Sequence, residues 1–249
     1  MKEIHKDLLY AISTVGDGNM SCNYGGADSV VRNRKEFLGK LGLNLSDCVM
    51  MDLSHGDSVN IVGVADKGRA MGDCGTGGVQ GDAMVTDKVG VYLFVLTADC
   101  LPLTLYDPQR KALALVHLSR INTNLKLTQK VVSLMREKWG SNPEDILVWG
   151  GPSISKTSYK LDFFKEEARG WDPFAVKMPN GKISVDVAGF NRQQLLDMGV
   201  KENNIDISEI DTFSSATYFS HYRTGRAGEP ESRFATVVGI KDSQLHIDE

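Results

Sequence analysis

The chain has 249 residues, 41% hydrophobic and 24% charged, with a formal net charge of −4, enough to bury roughly 70% of its unfolded surface in one globular unit spanning residues 1–249. The charges are mixed and give no basic stripe to follow a phosphate backbone, which excludes nucleic acid as the main partner. The N-terminal "MKEIHKDLLYAISTVGDG" has charge where a secretion signal needs an apolar core, and no run approaches the ~18 apolar residues of a membrane span, so the expected location is the cytoplasm, away from any membrane.

In chain order, "ADSVVRNRKEFLGKLGLN" places Val30, Val31, Phe37, Leu38 and Leu41 on one helical face, with Asp28 as N-cap and Gly42 as the stop. "CVMMDL" and "VNIVGV" read as strands joined through "SHGD", and the glycines of "ADKGRAMGDCGTGGVQGD" mark a long loop. Three apolar runs follow, "VYLFVLT", "LPLTLYD" and "KALALVH", bounded by turns as buried strands are. Leu125 to Trp139 has helical spacing, ended by Gly140 and Pro143. "ILVWGG" is a strand, "KISVDV" leads into a helix that stops near Gly199, and "IDISEI" and "RFATVVGI" close the chain as strands. Consecutive strands in hairpin order with about three long helices indicate an α+β fold, a mixed α/β sandwich in a single domain, rather than a dinucleotide-binding sheet. The four cysteines, Cys22, Cys48, Cys74 and Cys100, are too sparse for a disulfide framework, and a reducing compartment predicts thiols.

Chemistry gathers at one hairpin. "YDPQRK" has Asp107 and Pro108 where a type I turn favours them, and a loop of two or four residues centred between Pro108 and Gln109 pairs Tyr106 with Lys111 and carries Cys100 opposite His117. Opposed residues of an antiparallel pair have Cβ atoms roughly 4.5–5.5 Å apart on one face, close enough to share a metal ion. An odd-length loop sends the two side chains to opposite faces. A third ligand is needed, and His55 in the Gly-containing turn "LSHGDSV" is placed to supply it.

The motifs "LSHGDSV", "GDAMVTD", "LTADCLPLTLYD", "ALALVH", "GPSI", "SVDVAGFNRQQLLDMGV" and "YFSHYRTGR" run in the order found in YfiH-type proteins, once labelled laccase-domain or polyphenol oxidase proteins, which the chain resembles over nearly its whole length. The resemblance implies a mixed α/β sandwich related to toxin deamidases that use a Cys–His pair. It implies a zinc ion, or copper in its place, held by His55, Cys100 and His117. The implied activity is purine nucleoside phosphorolysis with adenosine deamination alongside, hence purine nucleoside and phosphate as small-molecule partners. The chain departs from the family pattern where "HLSRIN" replaces a Trp and an Arg after the metal histidine, and where Leu53 replaces a Gln.

An arginine near a metal clamps phosphate through bidentate charge-assisted bonds. Arg120, one position displaced, and Arg223 and Arg226 in "HYRTGR" are the candidates to replace the missing one, with His221 beside them. Asp82 in "GDAMVTD" is the candidate general acid or base. Two imidazoles and one thiolate match catalytic rather than structural zinc sites, which activate water for attack on C6 of adenosine. Two alternatives stand beside this reading: a metal-free Cys100–His117 nucleophile for acyl transfer or deamidation, and a binding protein that has lost catalysis. A multicopper cluster needs more imidazoles than the chain's five His provide. Nothing in the sequence marks an oligomer interface.

Overall fold

The computed structural model describes residues 4–72, 74, 77–164, 170–228 and 230–242. Two sheets are stacked face to face. The first runs, in spatial order, Leu8–Ile12, Phe234–Ile240, Tyr92–Thr97, Cys48–Asp52 and Val79–Gln80; the second runs Ile205–Ile207, Leu147–Gly150, Leu101–Asp107, Ala112–Leu118, Ala83–Thr86 and Val59–Ile61. Both mix parallel and antiparallel pairs. A small third sheet of Lys160–Leu161, Ile183–Val185 and Ala175–Lys177 stands apart.

Alternation along each strand decides which layer a residue joins. In Ala112–Leu118, Leu113 and Leu115 pack on Val49, Leu93 and Val238 of the first sheet, while Ala114, Val116 and Leu118 pack outward on Leu127, Val131 and Met135 of helix Leu127–Trp139. Leu195 of helix Val187–Asp197 joins that outer layer. On the far side of the first sheet, Cys48, Phe94 and Val237 pack under Phe37 and Leu38 of helix Ala27–Gly39. The order is therefore helix, sheet, sheet, helix, and the central strands Leu101–Asp107, Ala112–Leu118 and Phe234–Ile240 are buried along their whole length because both faces are covered. Every fully buried Leu or Phe here contributes about 1.5–3 kcal/mol relative to exposure.

The expected α+β sandwich is the observed one, with differences of detail. The first helix is capped by Gly26, and Asp28 lies in its first turn, where a carboxylate favours the free amide ends. Val79–Gln80 pairs with Met51 and Asp52 inside the run that reads as loop; it packs so closely that a Cβ on Gly78 would lie 3.0 Å from Asp52 Cβ and Met50 O. Asp73, Gly75 and Thr76 of that run lie outside the described residues. Leu8–Ile12 and helix His221–Ala227 have no counterpart in the sequence reading, since five apolar residues and a seven-residue polar helix carry too little periodicity. The cysteines depart from expectation more sharply. Cys22 and Cys74 are joined in a disulfide, with Cα atoms 5.5 Å apart, while buried Cys48 and partly buried Cys100 are free thiols. The glycine-containing segment folds back beside the turn Cys22–Tyr24, a long-range contact that spacing does not reveal.

Candidate functional site

Three connections carry the chain from the first sheet to the second: Asp52 to Val59, Gln80 to Ala83, and Thr97 to Leu101. Each turns through a residue at positive φ, His55 at 55°, Gly81 at 150° and Asp99 at 83°. For His and Asp that conformation is uncommon and persists where surrounding bonds hold it. Asp99 is held by accepting from Thr212 Oγ1 and the Tyr222 amide, both at 2.6 Å. His55 is held through Asp82, which accepts from its backbone amide at 3.1 Å.

The hairpin beside these crossings has a different register from the one the turn residues suggest. Asp107 Oδ1 accepts from the amides of Gln109 and Arg110, and Lys111 takes φ 52°, so the loop is Pro108–Lys111 and closes on Asp107 opposite Ala112. His117 consequently faces Pro102, and Cys100 lies just before the strand, diagonal to His117 and not directly opposite. The slip is two residues, so the side is conserved. The bend at Asp99 brings the sulfur within reach: the ligand atoms of His55, Cys100 and His117 all lie within 4.8 Å of one another. The two imidazoles meet edge to face with centroids 5.0 Å apart.

Asp82, with no exposed surface, organises the group. Its carboxylate accepts from Ser54 Oγ at 2.6 Å, Gly56 N at 2.7 Å, His55 N at 3.1 Å and His117 Nδ1 at 2.9 Å, and its own carbonyl accepts from the His117 amide at 2.8 Å. Burial pushes this carboxyl up, but the bonds from His117, Ser54 and Gly56 outweigh it and hold the pKa down at about 2. An ionised carboxylate only accepts, so His117 Nδ1 carries a proton and the other ring nitrogen, Nε2, is the one turned toward Cys100 and His55. Burial likewise opposes ionisation of the Cys100 thiol, yet the charge of His117 and hydrogen bonds from both histidines bring it well below the usual thiol range. His117 moves the opposite way: burial lowers it, but Cys100 and Asp82 raise it further.

Further groups fix the frame. Ser119 caps helix Arg120–Asn124, and Asn122 Nδ2 from that helix donates to Gly56 O at 2.5 Å, tying the segment after His117 to the His55 turn. Ser54, Asp99 and Asn122 have no signal in the sequence beyond the polar-turn composition shared by many surface loops.

His55 is exposed and lines a cavity of about 320 Å³ with Tyr24, Asp52, Arg233 and the disulfide cysteines. A second cavity, about 510 Å³, lies by Tyr10, Trp149 and Tyr218 and shares no residue with it. None of His221, Arg223 and Arg226 lines the His55 cavity. Arg223 donates to the carbonyls of Thr212, Phe213, Ser215 and Tyr218 and thereby shapes its own loop. Arg226 stacks on Tyr222, 3.4 Å from the ring centroid, and exposed His221 pairs with Glu231 at 2.6 Å. Arg120 opens its short helix with its guanidinium 5.8 Å from the Phe164 centroid. Two arginines do line the cavity, Arg34 and Arg233; the sequence presents the first only within a helix and the second only as the first residue of a strand.

A family described as multi-copper polyphenol oxidoreductase laccase matches residues 13–241. The chain belongs to that family. Within it and its relatives, the chain is 28% identical over 221 residues to the purine nucleoside phosphorylase YlmD of Bacillus subtilis, covering 86% of this chain and 78% of that one. It is 29% identical over 215 residues to the adenosine deaminase RL5 of an unknown prokaryotic organism, covering 82% and 81%. The laccase-family sandwich is the one seen in the crystal structure of the Bacillus licheniformis hypothetical protein YfiH, with a TM-score of 0.85 at 24% identity over 94% of this chain and 93% of the other. Among the described residues no helix is long and apolar enough to cross a membrane.

Proposed function

We propose that this protein is a metal-dependent purine nucleoside enzyme that phosphorolyses adenosine and inosine and deaminates adenosine, with zinc, or copper in its place, bound by His55, Cys100 and His117. The observation that carries the reading is the convergence of a sulfur and two imidazoles within 4.8 Å, one imidazole oriented from behind by a buried carboxylate. Relatives named as a purine nucleoside phosphorylase and an adenosine deaminase supply the reaction classes.

The donor set fits such an ion. Zinc takes nitrogen at roughly 2.0–2.1 Å and sulfur at roughly 2.3 Å, so ligand atoms need only small movements to meet on one centre. An ion there supplies Lewis acidity toward substrate and water. The chain supplies the rest. Asp82 keeps a proton on His117 Nδ1, so Nε2 would be the atom that holds the ion; before an ion binds, the His117 charge and hydrogen bonds from both histidines favour the Cys100 thiolate; the His55 cavity takes the nucleoside. In phosphorolysis a phosphate oxygen bonds to C1′ of the ribose while the C1′–N9 bond breaks, and the electron pair leaves with the base, which is protonated. In deamination water adds at C6 and ammonia departs. Asp82, ionised and fully engaged, serves as an orienting acceptor and not as the acid. The multicopper chemistry in the family description is not carried over, because five His cannot build such a cluster.

A second reading has its own support: the lowered Cys100 thiol and raised His117 describe a thiolate–imidazolium pair able to act as a nucleophile without metal. A panel of nucleosides assayed for free base and ammonia, with and without phosphate, on protein analysed for metal, tests the first. Iodoacetamide separates the two, since a metal-capped Cys100 resists alkylation until a chelator is added, whereas a free thiolate reacts at once.

A further inference from the structure

The cavity beside His55 has cationic walls. Arg34, 2% exposed, donates to the carbonyls of Met20, Ala70 and Met71, and Arg233 stands with it; Asp52 is the one carboxylate among the described lining residues. Arg233 is fixed from both sides. Its amide donates to Asn19 Oδ1 and its carbonyl accepts from Met20 N, each at 3.0 Å, and the central strand Phe234–Ile240 follows it. Its Nη1 donates to Glu231 Oε2 at 2.7 Å and Ser232 O at 2.8 Å, Nη2 donates to Tyr24 Oη at 3.0 Å, and the guanidinium lies 4.3 Å from the Tyr24 ring centroid. Those bonds use three of five protons. Among the described residues, Nε–H and the second Nη2–H have no acceptor. Glu231, which holds Arg233, is itself anchored by accepting from His221 Nδ1 and Thr224 Oγ1.

We propose that Arg233 is the phosphate-binding residue of the His55 cavity, offering its unused guanidinium donors to phosphate oxygens while Tyr24 and Glu231 hold it in place. Arginine recognises phosphate through parallel charge-assisted bonds, and a guanidinium already immobilised loses little further freedom on binding. The assignment deepens the nucleoside reading and rests on it for the identity of the anion. It also moves the phosphate contact away from Arg223 and Arg226, whose guanidiniums are engaged outside this cavity.

The test uses the full-length, metal-loaded protein with inorganic phosphate as the probe, by calorimetric titration and by steady-state phosphorolysis of inosine. Arg233→Gln is expected to weaken phosphate binding at least about tenfold and to raise the phosphate KM by the same factor, while the inosine KM moves less than about threefold. Arg233→Lys, which keeps the charge and loses the fork, falls between, and Arg226→Gln binds phosphate as wild type does. Phosphate affinity within threefold of wild type in Arg233→Gln overturns the assignment. So does an equal loss in Arg226→Gln, a parallel rise of both KM values in Arg233→Gln, or wild-type protein that takes up no phosphate. If wild type binds phosphate through Arg233 but turns over no nucleoside, the nucleoside reading fails and the assignment stands.

Discussion

Replacing Asp82 by Asn tests how much of the site depends on one buried carboxylate. The substitution preserves shape but turns one acceptor oxygen into an NH2 group. That group then faces either the Ser54 hydroxyl and Gly56 amide or the His55 amide and His117 Nδ1, all of which donate to Asp82. A buried donor left facing donors costs about 1–3 kcal/mol. The charge adds a pH signature in the metal-free protein. The folded-state pKa is about 2 against an ordinary 3.8, and at 1.36 kcal/mol per unit the difference amounts to about 2 kcal/mol. Because the folded pKa is the lower one, that stability is fully present above about pH 4 and is lost as pH falls toward 2. Urea unfolding of chelator-treated protein between pH 6 and pH 2.5 should show wild type losing about 2 kcal/mol more than Asp82→Asn across the acid limb. In the same variant, metal affinity should fall roughly 10–100-fold, because His117 loses its fixed tautomer. Coincident pH profiles together with unchanged metal affinity would refute the role given to Asp82.

Other parts of the structure make separate predictions. Gly239 pairs with Tyr92 across the first sheet, and a Cβ there runs into the Tyr92 ring, so Gly239→Ala should destabilise by about 1–3 kcal/mol in urea, with the loss recovered when Tyr92 is also truncated. The Cys22–Cys74 link closes a separation of 52 residues, which corresponds to about 4 kcal/mol of restricted unfolded-state entropy. Reduction by dithiothreitol should therefore lower the urea midpoint of wild type and leave a Cys22→Ser, Cys74→Ser double variant unmoved. Arg223→Met should cost about 2–4 kcal/mol of stability by stranding the loop carbonyls it satisfies, with the KM values of the surviving folded protein unchanged.

The legibility of the site follows from what periodicity records. His117 and Cys100 can be placed on one side of the second sheet because a two-residue error of register preserves the face, although the turn residues point to the wrong loop and only the bend at Asp99 brings the sulfur within reach. The strands Tyr92–Thr97, Leu101–Asp107 and Ala112–Leu118 are readable as uninterrupted apolar runs between turns. Asp82 can be marked as an acid near the site, but its function as a shared acceptor depends on Ser54, Gly56 and His117, which meet only after the chain has crossed between sheets. Arg233 has no local mark at all: it is placed by its contact with Tyr24 and shares with His55 a cavity lined from Ser21 to Arg233. The disulfide is hidden for the same reason, being a contact between two loops.

X-ray absorption at the metal edge of the purified protein addresses the central claim most directly. One ion per chain should show one sulfur scatterer at about 2.3 Å and two imidazole nitrogens at about 2.0–2.1 Å, and Cys100→Ser should erase the sulfur shell. Protein that holds no stoichiometric ion after metal loading, or an ion whose spectrum contains no sulfur, would contradict the account.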